Sequence, residues 1–342
     1  MRNEEPGGKT IGIDLGSNTL RATTYDRVSD TFGPRYGAIV KTADGLAQTG
    51  VISDAAVERI VAGLGQMREA LPFGEAKARA VTTEALRRAA NREEVLDRIA
   101  GETGIRFEII DGDEEARLTL RAVRHRLQKL AATSHPPSTI HHPPSTIHHP
   151  PSTPEHELPT THYPLPTQED LVLLDIGGGS TEVTFAYGDE VIAQSFPLGI
   201  VTLSQSYPDL AAIEAALPEV MAPLERFVAE VYIARGRPEA FVATAGTPTT
   251  LAAMQLGMEY DTYDPERING TRLLRHAPRY YLDELLSLPF ARREEIVGVG
   301  RADLVTAGIL IFDRMYKILG FEACTVIDDG LREGVALDLA SE

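Results

Sequence analysis

Tryptophan is absent from the chain, and cysteine occurs once, at Cys324. A single thiol excludes an internal disulfide framework, and its apolar neighbours mark it as a core residue rather than a nucleophile. No apolar run approaches the length that spans a bilayer, and Met1-Arg2-Asn3-Glu4-Glu5-Pro6 has no apolar signal core. The expectation is a cytoplasmic protein in a reducing compartment, with no membrane partner. Basic residues are the minority, 33 Lys and Arg against 50 Asp and Glu, for a net charge of −17. Nucleic-acid binding relies on clustered cations, so a nucleic-acid partner is not expected. The chain also lacks Gly-x-x-x-x-Gly-Lys-Ser/Thr, and neither of its glycine runs opens directly onto a helix. A P-loop and a dinucleotide-binding turn are thereby set aside.

What is present is a chain of 342 residues, 43% of them hydrophobic, enough to fill two cores. Two segments stand out: Ile11-Gly12-Ile13-Asp14-Leu15-Gly16-Ser17-Asn18-Thr19 and Leu173-Leu174-Asp175-Ile176-Gly177-Gly178-Gly179-Ser180-Thr181-Glu182. Each reads as a buried strand, an acid where it stops, a tight loop of glycine and hydroxyl residues, and a second strand. Alone, either is equally a hairpin turn with a capping acid. Recurrence with the acid in the same place favours phosphate binding. Backbone N–H groups and hydroxyls take phosphate oxygens, while the acid holds a divalent cation that the phosphates share. Gly16, Ser17, Asn18 and Thr19, with Gly177, Gly178, Gly179, Ser180 and Thr181, are the candidate phosphate ligands. An acidic chain that binds a polyanion needs local arginines and metal, since screening hides carboxylates beyond about 8 Å.

The pattern predicts strands at Ile11–Leu15, Leu20–Tyr25 and Tyr36–Val40, then a helix over Asp54–Leu71. Strand Ala78–Thr82, helix Glu84–Ala90, helix Arg92–Glu102 capped by Asn91, and strand Arg106–Ile110 follow. A helix from Asp111 to about Leu130 closes this half. Residues 134–168 carry three copies of Pro-Pro-Ser-Thr at seven-residue spacing, with paired histidines between them, which predicts an unstructured insert. The first pattern then restarts, with strands to Asp175, Glu182–Tyr187 and Val191–Phe196, helices over Leu210–Arg235, strand Ala240–Thr244 and helix Pro248–Leu256. The tail reads as helices Arg272–Leu286, Arg301–Leu319 and Leu331–Leu339 around a strand at Ala323–Ile327. A repeated mixed-sheet unit with a phosphate loop in each half is the α/β architecture of the actin-like (ribonuclease H-like) ATPases.

The ordered series Asp14-Leu15-Gly16-Ser17-Asn18-Thr19, Val81-Thr82-Thr83-Glu84-Ala85-Leu86-Arg87, Gly112-Asp113-Glu114-Glu115-Ala116-Arg117-Leu118, Asp175-Ile176-Gly177-Gly178-Gly179-Ser180-Thr181-Glu182, Ala245-Gly246-Thr247, Arg301-Ala302-Asp303 and Gly330-Leu331-Arg332-Glu333-Gly334 resembles the exopolyphosphatase and guanosine pentaphosphate phosphohydrolase family. The resemblance implies two actin-like domains about a cleft. They are expected over 1–130 and 169–310, with an insert at 131–168 and a helical segment at 311–342 packing back on the first domain. It implies hydrolysis of a terminal phosphoanhydride with magnesium, or manganese in its place, and is compatible with a homodimer. Carried over, Glu115 is the general base, Asp14, Asp175 and Glu182 are the metal acids, and Arg87, Gly246 and Thr247 bind substrate. Read locally, Glu114 and Glu115 are first-turn acids favoured by the helix dipole, with Asp111-x-x-Glu114 resembling a capping box. The implied substrate is inorganic polyphosphate, with guanosine pentaphosphate as the alternative. A kinase of the same superfamily and a non-catalytic phosphate sensor are the other readings.

Overall fold

The computed structural model describes residues 8–133 and 170–342. The insert expected at 131–168 lies outside them, apart from 131–133, which finish a helix. The first half contains β1 (Lys9–Leu15), β2 (Thr19–Asp26), β3 (Thr31–Ile39), α1 (Leu46–Thr49), α2 (Asp54–Ala70) and β4 (Lys77–Thr82). It continues with α3 (Glu84–Arg88), α4 (Arg92–Thr103), β5 (Phe107–Ile109) and α5 (Gly112–Thr133). The second half opens with β6 (Asp170–Ile176), β7 (Thr181–Tyr187), β8 (Glu190–Phe196), α6 (Ile200–Ser206), α7 (Leu210–Val220) and α8 (Ala222–Arg235). Then come β9 (Ala240–Thr244), α9 (Gly246–Gln255), α10 (Pro265–Ile268), β10 (Thr271–Leu274), α11 (Ala277–Ser287) and α12 (Phe290–Val297). The chain ends with α13 (Ala302–Leu319), β11 (Ala323–Val326) and α14 (Leu331–Leu339). No helix among the described residues is long and apolar enough to cross a membrane.

The first sheet has the order β3-β2-β1-β4-β5, and the second repeats it as β8-β7-β6-β9-β11, with β10 added at the edge. In each, two antiparallel hairpin pairings precede a parallel crossover. This is the duplicated actin-like α/β fold with two mixed sheets. The central strands β1 and β6 are buried along nearly their whole length, which is why they read as continuous apolar runs rather than as alternation. Helix α2 starts where Ser53 accepts the N–H of Ala56, a cap worth about 1 kcal/mol. It buries Val57, Ile60, Leu64 and Met67 against the first sheet.

Several elements depart from the sequence expectation. Arg272–Leu274 belongs to β10, not to a helix: the turn at Gly270 (φ +89) and pairing with β11 extend the chain, and Pro278 then starts α11. Asn91 does not cap α4, because its side chain binds the backbone N–H and C=O of Ile52 instead, each at 2.9 Å. Gly246 and Thr247 lie in the first turn of α9 rather than in a loop before it. Helices α6 and α12 were not foreseen. The former forms because Ile200 and Val201 donate N–H groups to Gly177 and Gly178 of the second glycine loop. The domain break expected at 310 falls inside α13, which packs on α6, α7, α9 and α11 of the second half.

Two helices cross between the halves. From its start beside the first sheet, α5 lays Leu120, Val123 and Leu127 on Leu171, Leu173, Ala186 and Val242 of the second. In return, α14 packs on β1, β2 and β4. The two helices meet where Gly334 lies against Leu118; a Cβ on Gly334 would stand 2.0 Å from the Leu118 carbonyl oxygen. Gly12 packs as tightly on α14: a Cβ there would stand 2.0 Å from the Arg332 carbonyl oxygen. Both obstacles are backbone, so neither yields to a rotamer change. Gly334→Ala is expected to cost about 2–3 kcal/mol or more in urea unfolding, and a loss below about 0.5 kcal/mol would contradict this packing.

Candidate active site

Strand pairing fixes the first layer of the site. Asp14 stands opposite Arg21 in the β1–β2 hairpin, and Asp175 stands opposite Glu182 in the equivalent β6–β7 hairpin. Each loop closes with the same bond, Gly16 N–H to Thr19 O and Gly177 N–H to Ser180 O, both at 2.9 Å. Ser17, Asn18, Ser180 and Thr181 are buried. The loops then meet: a Cβ on Gly178 would lie 3.1 Å from the Ser17 Cβ, and one on Gly179 would lie 2.6 Å from the Ser17 Oγ and 3.1 Å from the Glu84 Cγ. Glycine is therefore required there for closeness, not for a turn.

Helix α5 delivers Glu115 to this junction. Asp111 Oδ1 accepts the Glu114 N–H at 2.8 Å, which sets the first turn. Glu114 points outward to Arg79, 2.7 Å away, while Glu115 turns inward and is 9% exposed. Arg87 donates to Glu115 Oε2 at 3.1 Å, to the Ile110 carbonyl at 2.7 Å and to Glu84 at 3.2 Å. Glu182 Oε1 accepts from Ser195 Oγ at 2.6 Å, and Ser195 in turn packs on Gly112 at the start of α5.

Four carboxyls now share one poorly solvated space. Burial pushes Asp14 up to about 6, against the pull of Arg21 and Arg332. Burial and then the charge of Asp14 bring Asp175 to about 6. Burial and then Asp175 take Glu182 to about 7, with Ser180 and Ser195 holding it back. Glu115 stands well above the usual carboxylate range, first through burial and then through Glu182, although Arg87 opposes both. Asp14 Oδ1 is buried without a partner. An all-oxygen donor set with an unsatisfied carboxylate oxygen fits a hard dication. Among the described residues, no group of three or more acids, histidines or cysteines is gathered tightly enough to hold an ion unaided. Part of any ion's shell must therefore come from substrate oxygens and water, as is usual for magnesium.

Four further residues gather here: Ser195 and Arg21, which sequence reading passed over, and Glu84 and Arg301, which it quoted within motifs without assigning a role. Arg301 Nη2 approaches Gly246 to 2.9 Å from a Cβ position, and Arg21 Nη2 approaches it to 3.9 Å. Among the described residues, the hydrogen bonds of the Arg301 guanidinium are long, 3.4 Å to the Gly246 carbonyl and to Thr250 Oγ1. Burial and then Arg21 push its guanidinium below the usual range. Neither arginine has a carboxylate within ion-pair distance among the described residues. Thr247 Oγ1, at the start of α9, is buried and unpartnered. Together they form a cationic wall that lacks an anion, joined to the acids because β9 leads into Gly246 directly beside Asp175. A signal for Arg21 was available, since it occupies the hairpin position that Glu182 holds in the repeat.

A fold of two such halves, each presenting a glycine loop and a strand-end acid to the other, defines a phosphoryl-handling protein of the actin-like class. The model of the Ppx/GppA phosphatase family matches residues 34–133 and 161–342, and the chain belongs to that family. It is 26% identical over 345 residues to a Mycobacterium leprae protein named exopolyphosphatase 1, covering 95% of this chain and 87% of that one. It is 25% identical to exopolyphosphatase 2 of Mycobacterium tuberculosis, covering 97% and 98%. A crystal structure of the Aquifex aeolicus family member superposes with a TM-score of 0.65 at 27% identity, covering 97% and 96%. An exopolyphosphatase from Cytophaga hutchinsonii shares the fold, with a TM-score of 0.76 at 24% identity, covering 97% and 98%.

A carboxyl whose proton affinity rises on folding costs nothing below its unfolded value and most above its folded one. Asp14, at 3.8 unfolded and about 6 folded, therefore weakens the metal-free protein as pH rises through this window. Asp14→Asn is expected to stabilise the metal-free protein by about 1–2 kcal/mol at pH 8 and by nothing near pH 3.5, as read by denaturant unfolding at both pH values. Equal effects at the two would contradict this electrostatic environment.

Proposed function

We propose that the protein releases terminal orthophosphate from inorganic polyphosphate, with Glu115 as general base. The observation that supports this reading is that Glu115, buried and held by Arg87, gathers with Glu182, Asp175 and Asp14, the acids that flank two facing glycine loops. Hydrolysis of a phosphoanhydride requires an aligned water, a group to take its proton and compensation of the phosphoryl charge. Glu115 takes the proton on Oε1 or Oε2, its affinity for it raised by burial, while Arg87 holds the carboxylate in place and favours its ionised form. The loop N–H groups and the hydroxyls of Ser17 and Thr19 bind the terminal phosphate, and Asn18 closes the first loop behind it. The Thr181 and Ser180 hydroxyls expected there are instead engaged, Thr181 donating to the Leu198 carbonyl and Ser180 to Glu182. Asp14, Asp175 and Glu182 would hold a magnesium or manganese ion, which when bound neutralises charge on the transferred group. Arg21 and Arg301 receive the following phosphates, with the N-terminus of α9 at Gly246 and Thr247 behind them. Because the loops touch in this conformation, the halves part to admit substrate and close to exclude water.

The names of the mycobacterial relatives support this choice of substrate. Guanosine pentaphosphate is the second reading. It is favoured by Tyr260, which is 51% exposed beside Gly298 near Arg301 and offers a ring on which a base can stack. Phosphate release from polyphosphate and from guanosine pentaphosphate, assayed side by side with magnesium, decides between them. Glu115→Gln should lower kcat by about 10²–10⁴ while leaving binding intact; unchanged turnover would remove Glu115 from the role of base. Arg301→Met should raise KM by about tenfold with a smaller change in kcat, since it removes charge-assisted bonds made in the ground state.

A further inference from the structure

Beyond the acids and the arginine pair, one more cation reaches the cleft. Lys41 follows β3 in a left-handed conformation, φ +50, which a residue with a side chain adopts only when its surroundings impose it. They do: Val40 and Lys41 both donate N–H groups to the Asn18 carbonyl of the first phosphate loop, at 3.0 and 2.9 Å. Arg59 donates to the carbonyls of Val40 and Lys41, at 2.8 and 3.2 Å. The nearby acid Asp44 is engaged by Arg59 at 3.5 Å, and Lys41 has no ion-pair partner among the described residues. The exposed side chain crosses from the first half to the second, its Cε lying 3.9 Å from where a Cβ on Gly300 would stand. Gly300 precedes Arg301, whose guanidinium meets Arg21 over Gly246. Three cations without carboxylate partners thus run in series from the mouth of the cleft toward Asp14 and Asp175.

We propose that Lys41 reads the outer phosphates of the bound chain, so that the site prefers polyphosphates long enough to extend past Arg301 to the mouth. This rests on the polyphosphate reading. A flexible ammonium suits the purpose: it follows a mobile, repeating anion as a point charge, where the inner arginines fix orientation. It also lies on the first phosphate loop's own support, so charge capture at the mouth is linked mechanically to the loop that holds the terminal group.

The test compares Lys41→Met and Lys41→Arg with the parent, using Lys77→Met on the exposed start of β4 as a charge-matched control. Steady-state release is measured on tripolyphosphate and on long-chain polyphosphate. Binding of the same two probes is titrated in the Glu115→Gln background. Lys41→Met should lower kcat/KM on the long chain about tenfold, through KM, and change it less than twofold on tripolyphosphate. Lys41→Arg should restore most of the difference, and Lys77→Met should show none. Equal losses on both lengths, or no loss, would overturn the assignment. If the parent hydrolyses neither probe, the hydrolase reading falls and the titrations alone judge Lys41: a length-dependent loss of binding sustains its role, and a length-independent or absent one removes it.

Discussion

The closeness of three backbones, β1, α5 and α14, is the constraint on which the rest of the molecule depends. Gly12 and Gly334 are the contact points, and each would drive a Cβ into a carbonyl 2.0 Å away. With α14 seated on the first sheet and α5 on the second, each half owns a helix that the other half's chain supplies. Glu115 sits at the start of one crossing helix, and Arg332 and Glu333 lie in the first turn of the other. The approach of Glu115 to the strand-end acids is therefore set by how these two helices cross, at a distance from the glycine loops.

Behind the site the charges are satisfied. Arg126 binds Asp329 at 2.6 Å and Glu266 at 2.8 Å, Arg35 reaches Asp328 and Asp329, and Arg332 binds Glu333 at 2.6 Å and Asp328 at 3.2 Å. These pairs tie β3, α5, α10 and α14 together around fully buried Asp329 and Glu333. In front of it, charges of like sign gather: carboxyls with raised proton affinities crowd together, and beside them stand two guanidinium groups that have no carboxylate within ion-pair distance among the described residues. A fold that pairs its ions so completely at the back leaves them unpaired at the front at a real cost in stability, and local strain of this kind concentrates where a ligand completes the set. The duplication explains how both walls arose from one plan. The same hairpin position carries Arg21 in one half and Glu182 in the other. One half thus contributes an added cation and the other an added acid to the same cleft.

Much of the fold was legible in the chain because local rules and tertiary structure agreed. Continuous apolar runs gave β1 and β6, helical spacing gave α2 and α13, and two glycine loops after strand-end acids disclosed the duplication. Disagreements arose where tertiary contacts overrode local preference. Asn91 abandoned its cap to bind Ile52, Arg272–Leu274 joined a sheet edge supplied by β11, and α6 took its first hydrogen bonds from the glycine loop itself. At the site, Asp14, Asp175, Glu182, Glu115 and Arg87 were named from motifs. Ser195, Arg21 and Lys41 required coordinates, because each meets partners distant in sequence, and the roles of Glu84 and Arg301, though both lay in quoted motifs, emerged only with them.

The sequence alone settled which residue types are available and where the chain turns: paired glycine loops, strand-end acids, a net negative charge and a repeated strand order. These follow from spacing and from side-chain chemistry, which are local properties. Only the tertiary structure decided which charges stand together. Long-range packing brings Glu115 of α5 to Glu182 of β7, and Arg301 before α13 to Arg21 of β2. The strength of each charge there depends on burial and on neighbours from the other half, and neither exists until the chain has folded.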